Sequence, residues 1–172
     1  MESVTIRPAR ESDADAVVSL VRGLADFEHL PGPDADGAAR LQRDFADPAR
    51  IFDALVAETA AGLVGYALYF FTYSTFRARP KLFLEDLFVR PEHRSRGTGR
   101  ALFLACARVA AGRGCCQLEW TVLHWNDGAR RFYQRLGGER DTSWQIYTLD
   151  EARLGELAAT DPPAGIAVTE QP

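Results

Sequence analysis

Two adjacent carboxylates interrupt an apolar run, Leu82-Phe83-Leu84-Glu85-Asp86-Leu87-Phe88-Val89. A charge on a buried strand costs free energy unless a partner or a task offsets it, so the pair points to a functional role. Neighbours on a strand point to opposite faces, so only one of the two can face a given pocket wall unless a bulge intervenes. Solvated strand carboxylates are the plainer alternative, against which stand the apolar flanks on both sides. Downstream, Arg90-Pro91-Glu92-His93 leads into Arg94-Ser95-Arg96-Gly97-Thr98-Gly99-Arg100. Glycines let the backbone turn and approach a ligand, and free amides at the start of a helix favour an anion. Arg94, Arg96 and Arg100 add positive charge suited to phosphates. An arginine-rich turn that only caps a core helix would carry the same residues. Neither G-x-x-x-x-G-K-[ST] nor G-x-G-x-x-G is present, which excludes a Walker-type site and a Rossmann fingerprint. Ala129, Phe132, Tyr133 and Leu136 share one helical face and fit a plain core. His29, His93 and His124 lack metal-ligand spacing, so no metal is expected.

These groups need elements to position them. Val4 and Ile6 alternate with polar residues, predicting a short strand that ends before Pro8. Ser12-Asp13-Ala14-Asp15 resembles a capping box, and Val17, Leu20, Val21 and Leu24 recur at helical spacing behind it. Pro31-Gly32-Pro33-Asp34 breaks that helix, and a second covers Ala38 to Phe45 before Asp47-Pro48. Phe52 to Glu58 and Leu63 to Tyr73 read as strands joined at Ala60-Ala61-Gly62, and Lys81 to Val89 as another. A helix follows from Gly99 to Gly112, with Leu102, Cys106 and Val109 inward. Then come a strand over Gln117 to Val122, a helix over Asn126 to Leu136 stopped by Gly137-Gly138, a strand over Trp144 to Leu149 and a helix over Glu151 to Ala159. The order predicts an α+β or mixed α/β fold in one domain, residues 1–159. The tail, 160–172, holds three of the nine prolines and is expected to be mobile.

The 172 residues suit a single domain, and 47% apolar with 26% charged residues describe an ordinary globule. A net charge of −4 argues against a nucleic-acid binder. The longest apolar stretch, Leu63 to Phe71, is broken by Gly65 and is too short to span a bilayer, so no membrane partner is expected. The opening residues carry no secretory pattern. The three cysteines Cys106, Cys115 and Cys116 suit neither a disulfide framework nor a zinc site, which predicts a cytoplasmic chain.

The R-x-x-G-x-G spacing after such a strand resembles the coenzyme-A pyrophosphate loop of the GCN5-related N-acetyltransferase (GNAT) superfamily. Phe70-Phe71-Thr72-Tyr73-Ser74-Thr75-Phe76, Leu84-Glu85-Asp86, and Trp125-Asn126 ahead of Phe132-Tyr133 resemble its spermidine/spermine (diamine) and thialysine branches. Ile6-Arg7-Pro8-Ala9 and Leu24-Ala25-Asp26-Phe27-Glu28 are similar as well, so the likeness runs over about residues 3–158.

The resemblance implies a central, mostly antiparallel twisted sheet flanked by helices, with acetyl-CoA between two splayed parallel strands. It implies main-chain contacts to the acetyl and pantetheine groups from Leu87, Phe88 and Val89, and pyrophosphate contacts from Arg94, Ser95, Arg96, Gly97, Thr98, Gly99 and Arg100. Asn126 would touch the pantetheine arm. Tyr133 matches the acid that protonates the departing thiolate, and Glu85 the base that takes a proton from the amine, through water. Phe27, Glu28, Asp86, Phe76, Glu119, Trp120, Thr121 and Trp144 fall at acceptor positions. A homodimer with acceptor sites near its interface is implied too.

The polyamine enzymes have an acidic residue and a tryptophan where this chain has Ser74 and Phe76, and a glutamate where it has Thr142. Fewer carboxylates weaken selection for multiply charged amines. The expected acceptor is therefore a small primary amine of lysine or thialysine type. A polyamine or diamine acetyltransferase is the alternative. A non-catalytic coenzyme-A-binding module is the third reading, against which the retention of Glu85 and Tyr133 speaks.

Overall fold

The computed structural model describes residues 3–166. The chain forms two compact units, Met1–Leu123 and His124–Pro172. In the first, β1 (Thr5–Pro8), β2 (Asp53–Thr59), β3 (Gly62–Ser74), β4 (Arg79–Val89) and β5 (Leu118–Trp120) form one sheet in that spatial order. The first four are antiparallel neighbours, and β4 and β5 run parallel. This is the mixed, mostly antiparallel sheet that the sequence predicts. Pro8 lies inside β1 rather than after it, which an edge strand tolerates because no central ladder bond is lost.

Helices α1 (Ala14–Glu28) and α2 (Ala35–Ala46) cover one face of the sheet. Val17, Leu20 and Phe45 pack there on Ala54, Val56, Tyr66, Leu68 and Phe88. The α1 helix follows a 3-10 turn, Glu11–Asp13, where the Asp13 carboxylate accepts from the Arg10 amide at 2.7 Å. It ends at left-handed His29, ahead of the Pro31-Gly32-Pro33 break. Asp34 caps α2 by accepting from the Gly37 amide at 2.7 Å, so this helix starts before the predicted Ala38. Helix α3 (Thr98–Gly112) lies on the other face through buried Leu102, Phe103 and Cys106. Val109, expected inward, is half-buried.

Two irregularities shape β4. Leu68 pairs with Asp86 and Tyr69 with Leu84, so Glu85 is an extra residue that no β3 residue opposes. The parallel ladder with β5 covers only Leu82 to Leu84, while β4 continues to Val89. Beyond Leu84 that side of β4 has no strand partner among the described residues, which is the opening expected between a splayed pair.

The second unit holds α4 (Asp127–Arg135) and α5 (Glu151–Ala158). Trp144 to Leu149, predicted as a strand, forms none and pairs with no strand among the described residues. Its composition favours β structure, but a strand's amides and carbonyls need a ladder. Likewise β5 stops at Trp120, short of the predicted Val122, where its pairing ends. The tail expectation falls partly on residues 167–172, outside the described residues.

Candidate active site

The extra residue in β4 decides where the two carboxylates go. A bulge resets the side-chain alternation, so Asp86 lies with Phe88 on the face covered by α1. There its Oδ2 accepts the hydroxyl of Tyr66, at 2.8 Å. Glu28, the last residue of α1, is near enough for its charge to be felt at this pair. Burial raises the Asp86 carboxyl above the usual carboxylate range, and the Tyr66 bond pulls it partly back. Glu85 and Glu28 are raised too, by desolvation first and by the Asp86 charge second. The Tyr66 hydroxyl is pushed upward by burial and then by Asp86. Three carboxyl groups and a phenol therefore share one electrostatic neighbourhood, which suits a cation.

The end of β4 leads into the glycine loop. The loop amides from Ser95 to Arg100 precede the first intrahelical bond of α3, from Ala101 N to Gly97 O at 2.9 Å. Ser95 (φ 60°) and Gly97 (φ 88°) are left-handed, the alternation that turns successive amides towards one point. A Cβ on Gly97 would meet nothing within 4 Å, so the space beside it is open. Such a nest, with the α3 N-terminus beyond it, suits an anion. Arg96 and Arg100 are exposed beside it. Arg94 is turned inward instead. Its Nε donates to the Val89 carbonyl at 2.8 Å, and its guanidinium stands 4.6 Å over the Phe27 ring and 5.4 Å from that of Phe88. The side chain ties the loop to β4 and α1, which its charge alone does not reveal.

Among the predicted acceptor residues, Phe27, Glu28, Glu85 and Asp86 come together around the end of β4. Phe76, 95% exposed, sits in the turn at the opposite end of that strand, beyond Ser74 and Arg79. Glu119 is paired with Lys81 Nζ at 2.7 Å, and Trp120 packs edge-on against Phe103 of α3, with ring centroids 5.3 Å apart. Thr121 is exposed past β5. In the second unit, Asn126 caps α4 by accepting from the Ala129 amide at 3.0 Å. Tyr133 is half-buried there with Ala129, Phe132 and Leu136, the face that periodicity predicts, and its ring meets Phe132 edge-on. Trp144 is 75% exposed. Tyr66 was not predicted. No sequence signal marks it, because its partner depends on the β3–β4 register.

Comparisons with known proteins bear on the fold and the family. The acetyltransferase (GNAT) family matches residues 18–138. Thialysine N-epsilon-acetyltransferase of Bos taurus is 36% identical over 169 residues, covering 92% of this chain and 99% of its own. Among solved structures, an integron cassette protein from the mobile metagenome of V. cholerae superposes with a TM-score of 0.78 at 22% identity, covering 92% of this chain and 99% of its own. The aminoglycoside N-acetyltransferase AAC(6')-Iy in complex with CoA does so with 0.72 at 22%, covering 88% and 97%. At those identities the two structures speak to the fold alone. With a family match over most of its length and a relative aligned nearly end to end, the chain belongs to the acetyltransferase (GNAT) family and is an acetyl-CoA-dependent N-acetyltransferase.

Proposed function

We propose that the acceptor is the side-chain amine of a small, lysine- or thialysine-like amino acid, acetylated by direct attack in a ternary complex. The observation that carries this is the cluster of Glu28, Glu85 and Asp86 at the end of β4, in a chain 36% identical to a thialysine acetyltransferase. A cationic amine is drawn to such a cluster and must lose a proton before it attacks the thioester. Glu85, open to solvent and with a raised carboxyl, accepts that proton through water. The amine attacks the thioester carbonyl and forms the C–N bond. Collapse of the tetrahedral intermediate breaks the C–S bond, and Tyr133 gives its proton to the departing thiolate. The proton that the nitrogen still has to lose restores the phenol through water. A main-chain amide of Phe88 or Val89 steadies the oxyanion. The amides of Ser95 to Arg100 hold the diphosphate, with Arg96 and Arg100 beside them, and Asn126 meets the pantetheine arm. On the same resemblance the protein acts as a homodimer, which sedimentation will test.

Purified protein with acetyl-CoA and an amine panel, followed by free thiol, tests the assignment. Thialysine and lysine analogues should exceed spermidine and spermine in kcat/KM. The reverse order would establish the polyamine alternative, and no thiol release with any amine would leave a binding module. Glu85→Gln should lower kcat/KM about a hundredfold, most at low pH where free amine is scarce. An equal loss across the pH range would assign Glu85 to structure. Tyr133→Phe with an unchanged kcat at every pH would remove the acid role.

A further inference from the structure

We propose that Tyr66 is a positioning residue for the acceptor: its hydroxyl fixes the Asp86 carboxylate against the incoming cation. This matters to catalysis only if Asp86 faces the acceptor, as proposed above. Tyr66 pairs with Phe88 across β3 and β4, and Asp86 pairs with Leu68, so the two side chains are diagonal neighbours on one face. The extra residue Glu85 creates that arrangement. Were the ladder to run unbroken through Glu85, Leu68 would oppose Glu85 and Asp86 would point towards α3.

Tyr66 has 0% exposure, and phenylalanine would fill almost the same volume. The hydroxyl is therefore not there for packing. What it contributes is one charge-assisted bond to a desolvated carboxylate. Glu28 on α1 and Glu85 on its own strand, both acidic, are near enough to feel the Asp86 charge. Desolvation and then the Asp86 charge raise both, burial raises Asp86 itself, and the Tyr66 hydroxyl favours its charged form. The Arg94 guanidinium on the same face is engaged with Val89 and the two phenylalanine rings.

Tyr66→Phe and Asp86→Asn should be compared with the natural protein, with thialysine as the acceptor. Tyr66→Phe is expected to raise the thialysine KM about tenfold, with a smaller change in kcat at saturation. The acidic limb of kcat/KM should move to higher pH, while calorimetry finds acetyl-CoA binding unchanged. An unaltered KM and acidic limb would overturn the proposal. So would a parallel fall in kcat, acceptor affinity and acetyl-CoA affinity, the mark of a merely structural role. If Asp86→Asn raises KM and Tyr66→Phe does not, Tyr66 is dismissed and the acceptor assignment stands. If Asp86→Asn has no effect, the acceptor assignment itself fails. Should thialysine not be acetylated, carboxyl-carbon NMR reads the same bond: titration of Asp86 should shift upward in Tyr66→Phe, and no shift overturns the proposal.

Discussion

Burial holds the carboxyls of Asp86, Glu85 and Glu28 above their usual range. An acid raised in the folded state stabilises the fold below its unfolded pKa, near 4, and that contribution is lost as pH rises through the folded value. At neutral pH each of these groups therefore costs stability when ionised. Asp86→Asn keeps an acceptor for the Tyr66 hydroxyl and removes the charge, so it should raise Tm at neutral pH while impairing use of the amine. The gain should vanish below about pH 4, where the aspartate is protonated in both states. Calorimetric melts across pH measure this, and a lower Tm at neutral pH would count against it. At this scale the sequence was partly legible. Two acids in an apolar run stand out from composition alone, whereas Tyr66 looks like any strand aromatic. Its partner depends on where the register shifts, and that depends on the packing of both strands.

Elements carry the acetyl-donor end of the site. Gly65 of β3 faces Val89, and a Cβ there would stand 2.7 Å from the Phe88 carbonyl oxygen and 3.1 Å from Val89 Cγ2. The closest atom is backbone, so β4 would have to move at the residues proposed to meet the acetyl group. Gly65→Ala should cost about 1–3 kcal/mol and weaken acetyl-CoA binding. Denaturant unfolding and calorimetry with acetyl-CoA check the two effects, and an unchanged protein in both would show that the strand end yields freely. The glycine loop and α3 were legible because their spacing and periodicity are local properties. Arg94 was not, since charge in a glycine loop suggests phosphate, and its inward turn depends on the Val89 carbonyl and the rings of Phe27 and Phe88. Trp144 to Leu149 failed for a related reason: a strand requires a neighbour, and alternation cannot supply one.

For the molecule as a whole, Arg7 joins three segments of the first unit. From β1 it bonds Asp13 at 2.6 Å in the turn before α1 and Glu58 at 2.7 Å on β2. Hydrogen bonds from Arg7 hold both carboxyls below their ordinary range. Depressed acids contribute stability above their unfolded pKa and lose it as pH falls through the folded values, the opposite sign to Asp86. Arg7→Ala should cost about 3 kcal/mol at neutral pH, chiefly from the buried pair with Asp13. The deficit should shrink in acid, as urea unfolding at several pH values would reveal. A loss below about 1 kcal/mol would mean that the pair behaves as a surface bridge. The α+β class and nearly every element of the first unit were legible, because hydrophobic period and glycine or proline breaks specify them locally. Long-range links such as Arg7 were not. There remains Glu85, the residue that the ladder skips. Excising it would bring Leu84 and Asp86 into consecutive positions, already on alternate faces, and the pairing with β3 would run without a break. The shortened chain should fold with an equal or higher Tm, keep its grip on the acetyl donor and turn over poorly, whereas a deletion mutant that cannot fold would refute this. The proposed proton acceptor is thus a guest in an otherwise finished strand, and a lineage that discarded it would keep a sound acyl-carrier receptor without its chemistry.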